Sequence, residues 1–125
     1  HLHAGHFVLL HIEDFRDIHY TGQLDEAFHA VGRRYDYHSG YQAFFKVDAT
    51  GALTCENYQP KAGDFLCWRY QGEYLHSMML LRWNDATKVA TVINGPWPVT
   101  LRYVNIQELE EGGDNDFRIG RLPGN

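Results

Sequence analysis

The chain has 125 residues, 44% of them apolar, which is enough for one compact domain spanning 1–125 with a single core and too little for two. A formal net charge of -5, from 16 acidic against 11 basic side chains with no basic run, offers no electrostatic footprint for a phosphate backbone, so nucleic acid is not expected as a partner. No apolar run approaches the roughly 18 residues that cross a bilayer, so no membrane is expected, and Cys55 and Cys67 are too few for a disulfide framework and lack the paired spacing of a zinc site.

In chain order, the first feature is His1-Leu2-His3, followed by His6 and His11. A free amine with a third-residue His binds Cu(II) or Ni(II) in a square plane if His1 is the mature terminus. The competing reading is a tail or purification remnant, and no metal or other cofactor is assigned. A start at His1 rather than Met leaves leader removal, an omitted upstream segment and a tag remnant all open. Residues 6–20 are ambiguous: Phe7-Val8-Leu9-Leu10 suits a buried strand, while Val8, Ile12 and Phe15 recur at helical spacing, the preferred reading. Leu24, Phe28, Val31 and Tyr35 predict a helix over 23–35, with Thr21 as cap and Gly40 beyond its end.

After residue 40 the period shortens. Ala43-Phe44-Phe45-Lys46-Val47 and Ala52-Leu53-Thr54-Cys55 flank Asp48-Ala49-Thr50-Gly51, a hairpin signal. Strands follow near 64–70, 74–82, 88–94 and 99–104, with turns at Gln71-Gly72-Glu73 and Asn84-Asp85-Ala86-Thr87. Asn105 followed three positions later by Glu108 is a capping-box pattern, so 106–111 should be a short helix stopped by Gly112-Gly113. The expected class is α+β, with N-terminal helices packed on a mainly antiparallel meander.

The chemistry-bearing residues lie on that meander. If Gln71-Gly72 forms a two-residue turn, Tyr70 pairs with Glu73 and Cys67 falls opposite His76, their Cβ atoms roughly 4.5–5.5 Å apart. An imidazole at that distance lowers a thiol's pKa and creates a nucleophile. A loop one residue longer turns the two side chains to opposite faces. If Arg82 pairs with Lys88, Asn94 falls opposite His76 and can orient its ring, completing a Cys67, His76, Asn94 triad. Each residue also has an ordinary role: His76 as a packed strand residue, Cys67 as a small hydrophobe, and Asn94 as turn chemistry before Gly95-Pro96.

A second reading is a non-catalytic domain binding a small molecule or protein partner in an aromatic-lined cleft. Trp68, Tyr70, Trp83 and Trp97 are the candidate lining residues, with core and sheet packing as their ordinary explanation. The two readings differ locally: a hydrolase needs a partly exposed His76 with a thiol within reach, and a binding module does not.

The stretch Pro60-Lys61-Ala62-Gly63-Asp64-Phe65-Leu66-Cys67-Trp68, with His76 ahead of Met78-Met79-Leu80-Leu81, resembles the centre of CHAP-type and related papain-like cell-wall amidases and peptidases. In those proteins a Pro-x-x-Gly-Asp turn leads into a strand and the next strand starts with the catalytic His. Asn94-Gly95-Pro96-Trp97 is also similar to papain's Asn-x-Trp element, with Pro96 as an extra residue. The match covers 60–97, and it implies a papain-like fold with His76 as base and Asn94 as its orienter. The chain departs from the family at the helix Gln23-Leu24-Asp25-Glu26-Ala27-Phe28, where the nucleophilic Cys would stand and no thiol is found. The resemblance therefore leaves open a catalytically silent relative reused for binding and a fragment missing its first segment, and a Cys67–His76 pair would be a rearranged site rather than the family's own.

Overall fold

The structure, a computed structural model, describes residues 17–48, 50–55, 58–95 and 98–125. Helix α1 spans Asp17–Ala30 and buries Leu24 and Phe28, two of the residues whose spacing predicts it. It stops at Gly32 rather than running on towards Gly40. Gly32 adopts φ 69°, its N–H bonds to His29 O, and Arg33 N–H returns to Phe28 O at 2.9 Å, a left-handed stop that glycine adopts without steric cost. Val31 is consequently exposed, and Tyr35 belongs to a strand. Thr21, expected as the cap, lies fully buried inside the helix. Most of the ambiguous stretch, 6–16, and the N-terminal histidines fall outside the described residues.

Eight strands follow: β1 (Arg34–His38), β2 (Ala43–Val47), β3 (Leu53–Cys55), β4 (Phe65–Tyr70), β5 (Glu73–Asn84), β6 (Val89–Asn94), β7 (Thr100–Asn105) and β8 (Asn115–Gly120). Helix α2 (Ile106–Glu111) lies between β7 and β8, capped as expected by Asn105, whose side chain accepts from Glu108 N–H at 3.0 Å. All strands join one antiparallel sheet in the order β3-β2-β1-β8-β4-β5-β6-β7. Two hairpin meanders, β1–β3 and β4–β7, are thus joined by the C-terminal strand, which pairs with β1 on one side and β4 on the other.

The expected α+β class is therefore corrected. The fold is mainly β: among the described residues it is one eight-stranded sheet with the helices α1 and α2, and not a layer of helices packed on a meander. The difference arises at 34–38 and 115–120. The Phe28, Val31, Tyr35 spacing carries the expected helix over the first two residues of the former, Arg34 and Tyr35. The second, Asn-Asp-Phe-Arg-Ile-Gly, is too polar to announce a central strand.

The sheet curls. Phe44 of β2 and Trp83 of β5 meet with ring centroids 5.5 Å apart although three strands separate them in the sheet. The concave face encloses the main core, including Tyr35, Leu66, Met78, Leu80, Val92 and Ile119, and takes in Ile106 of α2. The convex face carries α1, where Leu24 and Phe28 pack on Phe65, Cys67 and Met79. Contact there is close: a Cβ at Gly120 would stand 1.9 Å from the Phe28 ring. Polar groups lock α1 down as well. The carboxylate of Asp25, 1% exposed, accepts from Arg118 at 2.5 Å and from the Tyr74 hydroxyl at 2.6 Å, with Arg34 at 3.6 Å. Asp25, at the place where the resemblance would put a nucleophile, is thus part of an ion network joining α1 to β1, β5 and β8.

The Gly63-Asp64 turn has an equally structural role. Asp64 is fully buried, and its carboxylate accepts from Tyr58, Lys61 N–H, Arg121 and Asn125 at 2.9 to 3.0 Å. Arg121 also lies over the Tyr58 ring, 4.6 Å from its centroid. The turn anchors the chain's last residues and, through Leu80 N–H donating to Asp64 O at 2.7 Å, the middle of β5.

Candidate functional site on the concave face

The β4–β5 hairpin decides which residues meet. Its turn is the expected two-residue one, with Gln71 at φ 51° and Gly72 at φ 79°, and Tyr70 pairs with Glu73. Beyond it the register slips. Arg69 pairs with Tyr74 but Trp68 pairs with His76, so Leu75 is an extra residue bulging from β5. Because side chains alternate with period two, one inserted residue transfers His76 from the convex to the concave face. Cys67 pairs with Ser77 instead and stays convex.

The structure therefore separates the proposed thiol and imidazole. Cys67 is a free thiol, 1% exposed beneath α1, and burial pushes its pKa well up, with the Asp25 charge adding to the effect. Both influences oppose formation of a thiolate. His76 and Asn94 do come together: His76 Nε2 lies 3.2 Å from Asn94 Oδ1. Asn94 Oδ1 can only accept, which fixes the tautomer carrying the proton on Nε2. The route differs from a direct cross-strand pairing, because β6 begins at Val89 after the loop 85–88 and a second bulge, at Leu81, intervenes between Leu80↔Val92 and Arg82↔Thr91.

Around this pair the concave face gathers a polar and aromatic group. Trp68 stands opposite His76, and its indole N–H donates to Asn115 Oδ1 at 2.7 Å. Tyr70, 44% exposed, lies two residues further along the same face. Thr100 pairs with Asn94, and Arg102, two positions on, lays its guanidinium 4.8 Å from the centre of the Trp68 ring. Arg102 is exposed and has no carboxylate partner among the described residues. Trp83 does not join the group. It lies further along β5, where its indole N–H donates to Asp85 and its ring helps enclose a cavity of about 120 Å³ with Tyr37, Phe44 and Tyr58. Trp97 is outside the described residues.

A larger cleft, of about 570 Å³, opens where β1 and β8 part. They pair only from Arg34↔Gly120 to Asp36↔Arg118. Beyond that, Tyr37 and His38 diverge from Asp116 and Phe117, and Glu110 of α2 enters the gap. Its Oε1 accepts from Ser39 N–H at 2.8 Å, tying the end of β1 to α2, while Oε2 is buried without a hydrogen-bond partner among the described residues. Burial, with the Asp116 charge adding, pushes the Glu110 carboxyl up to about 7, and burial raises Asp116 as well. Gln107 completes the seal, its Oε1 accepting from the Tyr37 hydroxyl and its Nε2 donating to Ser39 O. No cluster of His, Cys, Asp and Glu suited to a metal ion occurs among the described residues.

Comparison with protein-family models, curated proteins and solved structures finds no match to this chain. The papain-like resemblance accordingly rests on its motif alone.

Arg102 and Glu110 are the two residues that sequence reasoning passed over. Each left a signal. Period two puts Arg102 on the same face as Val104, an inward-directed charge on a strand. Glu110 sits in the last turn of a helix, where the macrodipole disfavours a carboxylate unless something else holds it.

Proposed function

We propose that this protein is a non-catalytic binding domain that holds a small molecule on the concave face of its sheet, at Trp68, Tyr70, His76, Asn94 and Arg102. The observation that carries the reading is the Arg102 guanidinium, exposed and stacked on Trp68 beside the His76–Asn94 pair. An aromatic floor with a few fixed polar groups is the usual make-up of a ligand site. Thiol-dependent hydrolysis through Cys67, His76 and Asn94 draws support from the His76–Asn94 contact alone. Its nucleophile would have to cross from the far face of the sheet.

The test is a screen of neutral and charged aromatic fragments by ¹H–¹⁵N correlation NMR. Binding should move the Trp68 indole N–H, the Asn94 side-chain amide and the backbone of Tyr70 and His76 together and saturably. A screen in which no fragment moves them, or in which shifts gather at Glu110 and His38 instead, would overturn the assignment.

A further inference from the structure

Resting on that reading, we infer that the ligand presents an oxyanion, a carboxylate or phosphate, to Arg102 and Asn94. Trp68 has spent its only donor on Asn115. Asn94 has spent Oδ1 on His76, which leaves its two amide N–H groups, and these have no hydrogen-bond partner among the described residues. Thr100, opposite Asn94, is exposed with its hydroxyl available. Arg102 contributes up to five N–H donors in a rigid fork and no acceptor. The contact with Trp68, 4.8 Å from the guanidinium carbon to the ring centre, uses none of these N–H groups as a conventional hydrogen-bond donor, and they have no hydrogen-bond partner among the described residues.

What Asn94, Thr100 and Arg102 leave unspent is thus weighted towards donors among the described residues, and a carboxylate or phosphate is the ligand group that needs several donors and supplies none. Glu73, the carboxylate placed on this face by its pairing with Tyr70, is exposed at the hairpin turn and has no ion pair with Arg102. The protein as a whole carries -5, so an anion gains nothing from its overall field. Binding must come from these local donors, which act within the screening length of about 10 Å.

The experiment titrates the full chain at constant ionic strength with benzoate, with its uncharged analogue benzamide, and with inorganic phosphate, following the Trp68 indole and Arg102 Nε–H signals. Benzoate, phosphate or both should shift these signals saturably, and which of them does so assigns the anion as carboxylate or phosphate. Arg102→Gln should weaken binding at least tenfold, and Asn94→Asp, which keeps an acceptor for His76 but replaces the donors with a charge, should do the same. Arg82→Gln, removing an exposed cation that pairs with Thr91 on the convex face, should leave affinity unchanged. Benzamide binding as tightly as benzoate at these signals would overturn the anion while leaving a ligand site on this face. No saturable shift from either anion, or equal loss in the Arg82 variant, would overturn the inference outright.

Discussion

Glu110 offers a quantitative test of how the sheet tolerates the parting of β1 and β8. Its carboxyl is pushed up to about 7 in the folded chain from an ordinary 4.5, because burial disfavours the ion and Asp116 adds repulsion, while the Ser39 N–H only partly offsets them. The folded state therefore binds a proton more tightly than the unfolded state does. The stability this group confers is fully present below about pH 4.5 and is lost as pH rises through 7. At about 1.4 kcal/mol per pKa unit the ceiling is about 3 kcal/mol, and discounting for the partial exposure of the side chain brings the expected effect to about 1 kcal/mol. Glu110→Gln keeps an oxygen to accept from Ser39 and cannot ionise. Urea unfolding of both proteins at pH 5 and pH 8 isolates the contribution, since every other titrating group is common to the pair. The stability of the variant relative to the parent should rise by about 1 kcal/mol between the two pH values. A constant difference, or one that falls, would refute the claim that a half-buried, proton-hungry carboxylate sits where the two strands part.

Three further outcomes follow from the packing. Asp64→Ala leaves Arg121 and Tyr58 without their buried acceptor and should cost about 3 kcal/mol in urea unfolding, and a loss below 1 kcal/mol would show the turn to be dispensable. Gly120→Ala drives a methyl into the Phe28 ring and should cost about 1–3 kcal/mol, and adding Phe28→Leu should recover part of that; identical losses in both backgrounds would place the strain elsewhere. Cys67 should resist iodoacetamide at pH 8 until denaturant is added, in the parent and in His76→Ala alike, as judged by peptide mass spectrometry. Rapid native labelling that depends on His76 would restore the thiol–imidazole pair.

Much of the meander was legible because its determinants are local. The strand pairs from 43 to 55 and from 65 to 105, the Gln71-Gly72 turn and the Asn105 cap all follow from period two, turn residues and a capping box within a few positions of one another. Strand β8 was not legible, because it becomes a strand through β1 and β4, partners distant in sequence, and β1, although its hairpin with β2 is local, begins inside the helical spacing that ends at Tyr35. The helix boundary failed for a related reason. Leu24, Phe28, Val31 and Tyr35 keep helical spacing through Gly32, and choosing between that periodicity and a glycine stop requires knowing that Tyr35 has the Tyr58 ring to stack on, at 3.7 Å.

The site shows how a correct local reading can still give the wrong neighbours. The turn at Gln71-Gly72 forms as its residues predict, and an unbroken ladder from it would set Cys67 against His76. The bulge at Leu75 intervenes, and nothing in Tyr74-Leu75-His76 announces it, since all three residues suit a regular strand. Tertiary demands account for the position it takes. Tyr74 must face α1 to reach Asp25 at 2.6 Å, and Met78 and Leu80 must face the concave core, yet each lies an even number of positions beyond Tyr74. A regular strand would put all three on one face. One extra residue between them satisfies both requirements and carries His76 to the side of Trp68, Asn94 and Arg102. The same bulge that removes a nucleophile from the imidazole thus assembles the donor-rich surface proposed to bind a ligand.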